Sequence, residues 1–423
     1  MNAFEDLKWR GAIYDATPGS ESLLGNEKTT VYCGFDPTAK SLHIGNLVPV
    51  MGLMRLQRHG HTPIALVGGG TGMIGDPSGK SAERPLLTTS EIEGNVYAVH
   101  EQLGRFLDFE AETNPARVVN NANWLMDTSA IEFMRDVGKH FTVNRMLTRE
   151  SVKNRLQRED GISYTEFSYM LLQAYDFQVL HDRYGCKMQI GGSDQWGNLL
   201  GGVDLIRRTR SVEAQALVYP LITTATGEKF GKSVGGAPAL DPEVTSPFKL
   251  YQFFLNTADA DVVPYLKLFS FLTEEEIAEI SVMTEERPKE RAGQRRLARE
   301  VTELVHGVTG LQAAEAASEV LFGGEVSGLT ASELHDIFSD VPSSDMAKSA
   351  LEGTGMPLPK LLAEVGVAKS AGEARRLTEQ GGIYLNNHRE NDVSRAVTLE
   401  DAIEGKVIVL RRGARDFHLV ELV

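Results

Sequence analysis

The strongest limit on the fold is an alternation in the first half of the chain. Residues 29–35 form a β-branched and aromatic run of the kind that makes a buried strand. Asp36-Pro37-Thr38 turns the chain, and a helical pattern follows over about 43–59. A second apolar strand is expected at 62–68, then a long amphipathic helix to about 109, opened by a capping box at Ser90 and Glu93. Further strands are expected at 117–121, 186–190 and 219–224. Helices fill the spaces between, one of them opened by Ser163 and Glu166 and running to about 184. Strands alternating with helices predict an α/β fold with a Rossmann-like, doubly wound parallel sheet over residues 1–246. Residues 247–342 carry almost no strand signal and read as an all-α domain. Residues 343–356 have the composition of a linker, and 357–423 read as a small α+β domain.

Composition narrows the function. At 423 residues, 42% hydrophobic and 24% charged, the chain is globular and long enough for two or three domains. No apolar run reaches membrane-spanning length and the first ten residues are polar, so no membrane partner and a cytoplasmic location are expected. Two cysteines, Cys33 and Cys186, make neither a disulfide framework nor a metal cluster, so no protein-held metal is expected. The net charge of −15 argues against nucleic-acid binding by the whole surface. That charge is uneven. Residues 356–423 hold 10 basic and 10 acidic side chains and are neutral, which leaves room for a local basic patch.

Two glycine-rich stretches mimic nucleotide-binding motifs. Gly70-Thr71-Gly72-Met73-Ile74-Gly75 spells GxGxxG, but Asp76-Pro77 follows at once and disfavours the helix that a dinucleotide site requires. Gly75 to Ser81 ends in Gly-Lys-Ser with one residue too few for a P-loop. What remains is Asp76 on a tight loop at a strand's carboxyl end, where open α/β sheets bind ligands. His43 and Asn46 share one face near a helix start, with Gly45 leaving space between them. Lys229 and Lys232 lie three apart in a glycine-rich loop after the last strand, which suits a polyphosphate whose charge shifts during reaction. Tyr169, Gln173 and Asp176 fall at i, i+4 and i+7 of an otherwise apolar helix, so this polar stripe must be satisfied by protein, water or ligand.

Together, His43-Ile44-Gly45-Asn46 and Lys229-Phe230-Gly231-Lys232-Ser233 resemble the two signatures of class I aminoacyl-tRNA synthetases. The segments Tyr32-Cys33-Gly34-Phe35-Asp36-Pro37-Thr38, Phe167 to Asp176 and Gln189 to Asn198 narrow the resemblance to the bacterial tyrosyl-tRNA synthetase family, over essentially the whole chain. Asn46 stands where the family more often has His, and Pro49 sits within the following helix, where a kink is expected.

The resemblance implies a tyrosine–tRNA ligase. Tyrosine is activated by ATP, with magnesium arriving on the nucleotide and no other cofactor, and is then passed to tRNA(Tyr). It implies that Asp76, Tyr169 and Gln173 hold the α-ammonium of L-tyrosine. Tyr32 and Asp176 would bind its phenol, and Gln189 and Gln195 would line the same pocket. Thr38, His43 and Asn46 would face the phosphates from one side and Lys229 and Lys232 from the other, with Ser233 beside them. Asp36, Gly45, Gly192 and Asp194 would contact adenosine and ribose.

The last segment resembles the S-four-type RNA-binding domain, with Lys369, Arg375, Arg376, Arg389, Arg411 and Arg412 as candidate phosphate contacts. Residues 133–141 belong to the insertion that forms a dimer interface in this family, so a homodimer is implied. Three rival readings remain: a tryptophanyl-type synthetase, an NAD-dependent oxidoreductase resting on GxGxxG, and a non-catalytic RNA-binding relative.

Overall fold

The structure, a computed structural model, describes residues 1–78, 87–157, 161–223, 237–321, 324–326, 328–339, 341–413 and 416–423. It divides into two compact units. One comprises residues 1–244 and 257–297, the other residues 245–256 and 298–423.

The first unit is built on a six-stranded sheet: β1 (Asp15–Ala16), β2 (Thr30–Phe35), β3 (Thr62–Val67), β4 (Arg117–Asn120), β5 (Cys186–Gly192) and β6 (Gln215–Tyr219). The spatial order is β1-β6-β5-β2-β3-β4. β2 runs parallel to both β3 and β5, and the remaining pairs are parallel except for the short antiparallel edge strand β1. From β2 the chain winds outward through β3 to β4, then returns to β5 on the other side of β2. The junction of β2 and β5 is therefore the point where a doubly wound sheet opens a crevice at its carboxyl edge.

Helices hold this junction. Helix Ile44–Arg58 packs on β2, β3 and β5. It continues through Pro49, which cannot donate to the carbonyl one turn back but leaves the remaining ladder in place. Helix Tyr164–Tyr184 starts at Ser163, whose hydroxyl accepts from the Glu166 N–H, and ends at Gly185 in the left-handed region. Its Phe177 and Leu180 join Tyr32, Ile64 and Leu66 in one core cluster.

The unit also carries a clamp that the sequence did not suggest. Arg10 and Arg55, both buried, donate to the carbonyls of Lys267, Leu268, Ser270 and Leu272. Lys267 and Leu268 carry orphan acceptors in the last turn of helix Asp259–Phe269, and Ser270 and Leu272 follow it in the chain. Burial, together with the neighbouring Arg10 charge, lowers the Arg55 guanidinium to about 9.

Two local expectations shift. The helix expected from Ser90 and Glu93 starts instead at a reciprocal box of Thr88 and Glu91, covers Thr89–Leu103, and stops short of residue 109. The sequence offers two such boxes in tandem, and the upstream one adds two residues to the helix. The strand expected at 219–224 lies earlier, at Gln215–Tyr219, buried between β1 and β5 throughout. It ends where Pro220 has no N–H to offer the ladder.

In the second unit, helices Pro247–Leu255, Ala331–Ile337 and the end of Ala292–Val320 share a core with strands of the last segment; Phe248, Val320, Leu334 and Phe338 meet Val409, Phe417 and Leu419. The residues expected as a linker at 343–356 are built into this unit. Ser343–Met346 is a strand parallel to Asp416–Leu422, while Met346, Leu351 and Met356 are core residues. Their Pro, Ser and Gly content reflects turns on a packed path. The strand Asp416–Leu422 itself also escaped the sequence reading.

Candidate active site

A cleft of about 450 Å³ opens at the carboxyl ends of β2 and β5. Tyr32, Asp36, Thr38, His43, Gly45, Asn46, Asp76, Tyr169, Gln173, Asp176, Gln189, Gly192, Asp194 and Gln195 all line it. The size fits a small-molecule site. Residues up to 163 positions apart in sequence, Tyr32 and Gln195, thus converge because β2, its following turn, helix Tyr164–Tyr184 and the β5 turn meet at the sheet's switch point.

The floor is polar and buried. Asp176 is 1% exposed, and each carboxylate oxygen takes a hydrogen bond: Oδ1 from Trp124 Nε1 at 2.7 Å and Oδ2 from Asn121 Nδ2 at 2.9 Å. Burial nonetheless pushes its carboxyl up to about 8, against those two donors, with the nearby Asp36 charge adding to the rise. Tyr32 is fully buried beside it and stacks at a tilt on Phe177. Burial and then the Asp176 charge raise the Tyr32 phenol well above its ordinary value. Among the described residues, neither the Tyr32 hydroxyl nor Oε1 of buried Gln189 has a hydrogen-bond partner. Two unpaired buried polar atoms beside a carboxylate are costly unless a ligand satisfies them.

Above the floor lies an acceptor-rich ring. Asp36 Oδ1 accepts from Thr71 Oγ1 and Oδ2 from Tyr169 Oη, both at 2.7 Å. Thr71 in turn accepts from Asn121 Nδ2, so a continuous chain runs from Asp176 through Asn121, Thr71 and Asp36 to Tyr169. Gly68 must lack a side chain here, because a Cβ would collide with Asp36 Oδ1 and Thr71 Oγ1. Asp36, expected on the nucleotide side, is therefore also the brace of Tyr169. Asp76 follows Gly75, whose φ of +86° only glycine adopts easily. Its Oδ1 accepts from the Ser78 N–H at 2.9 Å and its Oδ2 from Gln195 Nε2 at 2.5 Å. Residues 70–75 make only a short 3-10 turn, Thr71–Met73, rather than a helix through the third glycine.

At the mouth, His43 caps helix Ile44–Arg58. Its Nδ1 accepts from the Gly45 N–H, and Asn46 Oδ1 accepts from the His43 N–H, both at 3.0 Å. The pair expected to share a helix face is thus also a reciprocal cap, in which Asn46 takes the acceptor role. The segment just before this cap is paired to the chain beyond residue 236. Ile44 N donates to Pro238 O and Leu240 N to Leu42 O. On the other flank Leu221 and Ile222 line the cleft. Lys229, Lys232 and Ser233 lie outside the described residues.

Four contributors went unread in the sequence: Asn121, Trp124, Thr71 and Asn198. Asn121, Trp124 and Thr71 find their partners 35 to 55 positions away, and Asn198 reaches Gln173, Ser78 and Asp76 25 to 122 positions away as well as nearby Gln195, so no local pattern marks them. In the second unit, Lys369, Arg375, Arg376 and Arg389 are exposed. Arg412 is half-buried and donates to Val367 O. Arg411 is placed otherwise than expected. It is 8% exposed, with its guanidinium 3.8 Å from the Tyr384 ring centroid and 5.6 Å from that of Phe417. Stacking on two rings makes it part of the sheet's packing rather than an exposed phosphate contact.

Residues 24–323 match the family model for tRNA synthetases class I (W and Y), and residues 333–420 match that for the tyrosine–tRNA ligase SYY-like C-terminal domain. The tyrosine–tRNA ligase of Roseiflexus castenholzii is 54% identical over 419 residues, covering 99% of each chain. The chain belongs to the tyrosyl-tRNA synthetase family. That of Opitutus terrae is 50% identical over 425 residues, covering the whole of both chains. Among solved structures, a C-terminally truncated mitochondrial tyrosyl-tRNA synthetase of Aspergillus nidulans is 33% identical, with a TM-score of 0.69, and covers 76% of this chain and 94% of its own. The class I synthetase fold carries the cleft described above, and its first signature, His43 to Asn46, stands at the cleft mouth. Among the described residues, no helix is long and apolar enough to cross a membrane.

Proposed function

We propose that this tyrosine–tRNA ligase recognises its amino acid through the floor of the cleft and activates it at the mouth. The observation that carries the reading is the trio of Tyr32 Oη, Gln189 Oε1 and the Asp176 carboxyl, buried together, with two of the three lacking a partner among the described residues. A phenol hydroxyl both donates and accepts, so it can complete this floor. A phenyl ring cannot, and would leave the polar atoms unpaired at high cost. An indole would present one donor and a larger ring.

The α-ammonium then falls to the acceptor ring of Asp76, Tyr169 and Gln173, with Gln195 beside it. The carboxylate points towards the mouth, where MgATP is the second substrate. The tyrosine carboxylate attacks the α-phosphorus, forming the acyl phosphate bond as the bond to pyrophosphate breaks. Tyrosyl-adenylate is the product. No side chain needs to become covalent; positioning and charge stabilisation supply the rate. Thr38, His43 and Asn46 face the phosphates from the helix side. Lys229 and Lys232 are assigned to the other side, with Ser233 next to them. In support of this, one described flank of residues 224–236 lines the cleft at Leu221 and Ile222, and the other pairs at Pro238 and Leu240 with the segment that carries His43. Gly45, Gly192 and Asp194 line the nucleoside side, where the absence of side chains at the two glycines leaves room for ribose. The ribose hydroxyl at the 3′ end of tRNA(Tyr) next attacks the carbonyl and releases AMP.

For tRNA, exposed Lys369, Arg375, Arg376 and Arg389 and half-buried Arg412 are the candidate phosphate contacts. A homodimer is supported by the insertion, where Ile131 is 71% exposed, Val143 58% and Met134 53% beside Phe133 and Phe141. A cytoplasmic location completes the proposal.

The test is amino-acid-dependent exchange of labelled pyrophosphate into ATP with tyrosine, phenylalanine and tryptophan in parallel. Exchange with tyrosine alone is expected. Exchange with tryptophan would keep the chemistry and overturn the floor assignment.

A further inference from the structure

Asn198 stands in the first turn of helix Trp196–Arg210 and is 6% exposed. Its single Nδ2 faces four oxygens: Gln173 Oε1 at 3.0 Å, Gln195 Oε1 at 3.2 Å, Ser78 Oγ at 3.3 Å and Asp76 Oδ1 at 3.5 Å. A primary amide nitrogen carries two hydrogens, so it can satisfy two of these acceptors well at any moment. Three of the four residues, Asp76, Gln173 and Gln195, are those assigned above to the ammonium end of the ligand, and the inference rests on that reading. We infer that Asn198 is a positioning residue for the α-ammonium site: it gathers these acceptors at one point and leaves them under-donated, ready for a cation that brings three N–H groups.

Oxygens that converge without donors repel one another and rotate away. A neutral, buried amide holds them together without neutralising the charge that attracts the ligand. A lysine at this position would do the first and defeat the second. Gln195 Nε2 already donates to Asp76 Oδ2, so the amide of Asn198 also fixes which end of the Gln195 carboxamide faces Asp76. When the ammonium arrives, the acceptors need only exchange one donor for another, with little rearrangement of the walls.

The test is equilibrium binding, by calorimetry on the full chain without ATP, of L-tyrosine and of 3-(4-hydroxyphenyl)propionate, which keeps the ring and carboxylate but lacks the amine. Wild type, Asn198→Ala and Asn198→Ser are compared. Asn198→Ala is expected to weaken tyrosine about 10- to 100-fold, as for loss of one or two buried hydrogen bonds, while the analogue changes less than about threefold. Asn198→Ser, which keeps one donor, should fall between and decides the matter if the alanine variant does not fold. Equal weakening of both ligands would make Asn198 a structural residue only, and no weakening of either would also overturn the inference. If wild type itself bound both ligands equally, the ammonium assignment of Asp76 and Gln173 would be the part that fails.

Discussion

The indole Nε1 of Trp124 donates to Oδ1 of Asp176 across 2.7 Å, while Asn121 holds the other oxygen at 2.9 Å. Asp176, assigned above to the ligand phenol, is thus held from behind by two donors outside the strand–helix frame of the site. Both lie just after β4, and neither lines the cleft. The carboxylate is aimed by them rather than by its own helix alone.

Trp124→Phe should keep the ring packing and remove this donor. Loss of one buried hydrogen bond to a carboxylate costs about 1–3 kcal/mol. Because the Asp176 geometry matters most when a phenol must be told from a phenyl, kcat/KM for tyrosine is expected to drop about 5- to 150-fold. The tyrosine-to-phenylalanine preference should narrow with it. Pyrophosphate exchange with both amino acids gives the ratio.

The buried Asp176 carboxyl also leaves a mark on stability. Its value is 3.8 when free and about 8 in the folded chain. Between these limits the folded state holds a proton that the unfolded state has released. The stabilising contribution is fully present below about 3.8 and is lost as pH rises through about 8. Asp176→Asn, which cannot titrate, should therefore become more stable relative to wild type as pH climbs from 4 to 8. Thermal midpoints of the two proteins across that range check the sign.

Much of this was legible in the sequence because it rests on local spacing. The stripe of Tyr169, Gln173 and Asp176 follows from helical periodicity, and helix Tyr164–Tyr184 begins at the cap that Ser163 and Glu166 predict. Most strands were visible as apolar runs. The misses have a common cause in long-range partnership. Gln215–Tyr219 is buried on both faces, so it shows no alternation, and Ser343–Met346 looks like a linker until Asp416–Leu422 pairs with it. Arg411 is chemically fit for phosphate, yet Tyr384 and Phe417 bury it from strands that its own neighbours do not reveal.

The arginine clamp gives a prediction away from the chemistry. Leu268 O takes its hydrogen bond from Arg55, whereas Lys267 O and Ser270 O are shared with Arg10. Arg55→Met should strand that carbonyl and lower stability by about 1–3 kcal/mol. Tyrosine-dependent exchange measured well below the melting temperature should be unchanged, since neither Arg55 nor Arg10 lines the cleft.

The lysines assigned to the pyrophosphate side should behave in the opposite way. Lys232→Ala is expected to lower kcat for adenylate formation by about 10²–10³, as for loss of a group that meets charge only in the transition state. Tyrosine binding without ATP should be unchanged. Single-turnover adenylate formation beside calorimetric tyrosine binding separates the two effects.

The most direct measurement on the central claim is the ratio of kcat/KM for tyrosine over phenylalanine, in wild type and in Tyr32→Phe. Among the described residues the buried Tyr32 hydroxyl has no partner, so its removal relieves the penalty that phenylalanine meets while costing tyrosine a hydrogen bond. The ratio should fall by about 5- to 150-fold, with part of the change coming from improved use of phenylalanine. An unchanged ratio in a folded, active Tyr32→Phe would contradict the account, because the phenol would then be read somewhere other than the floor of this cleft.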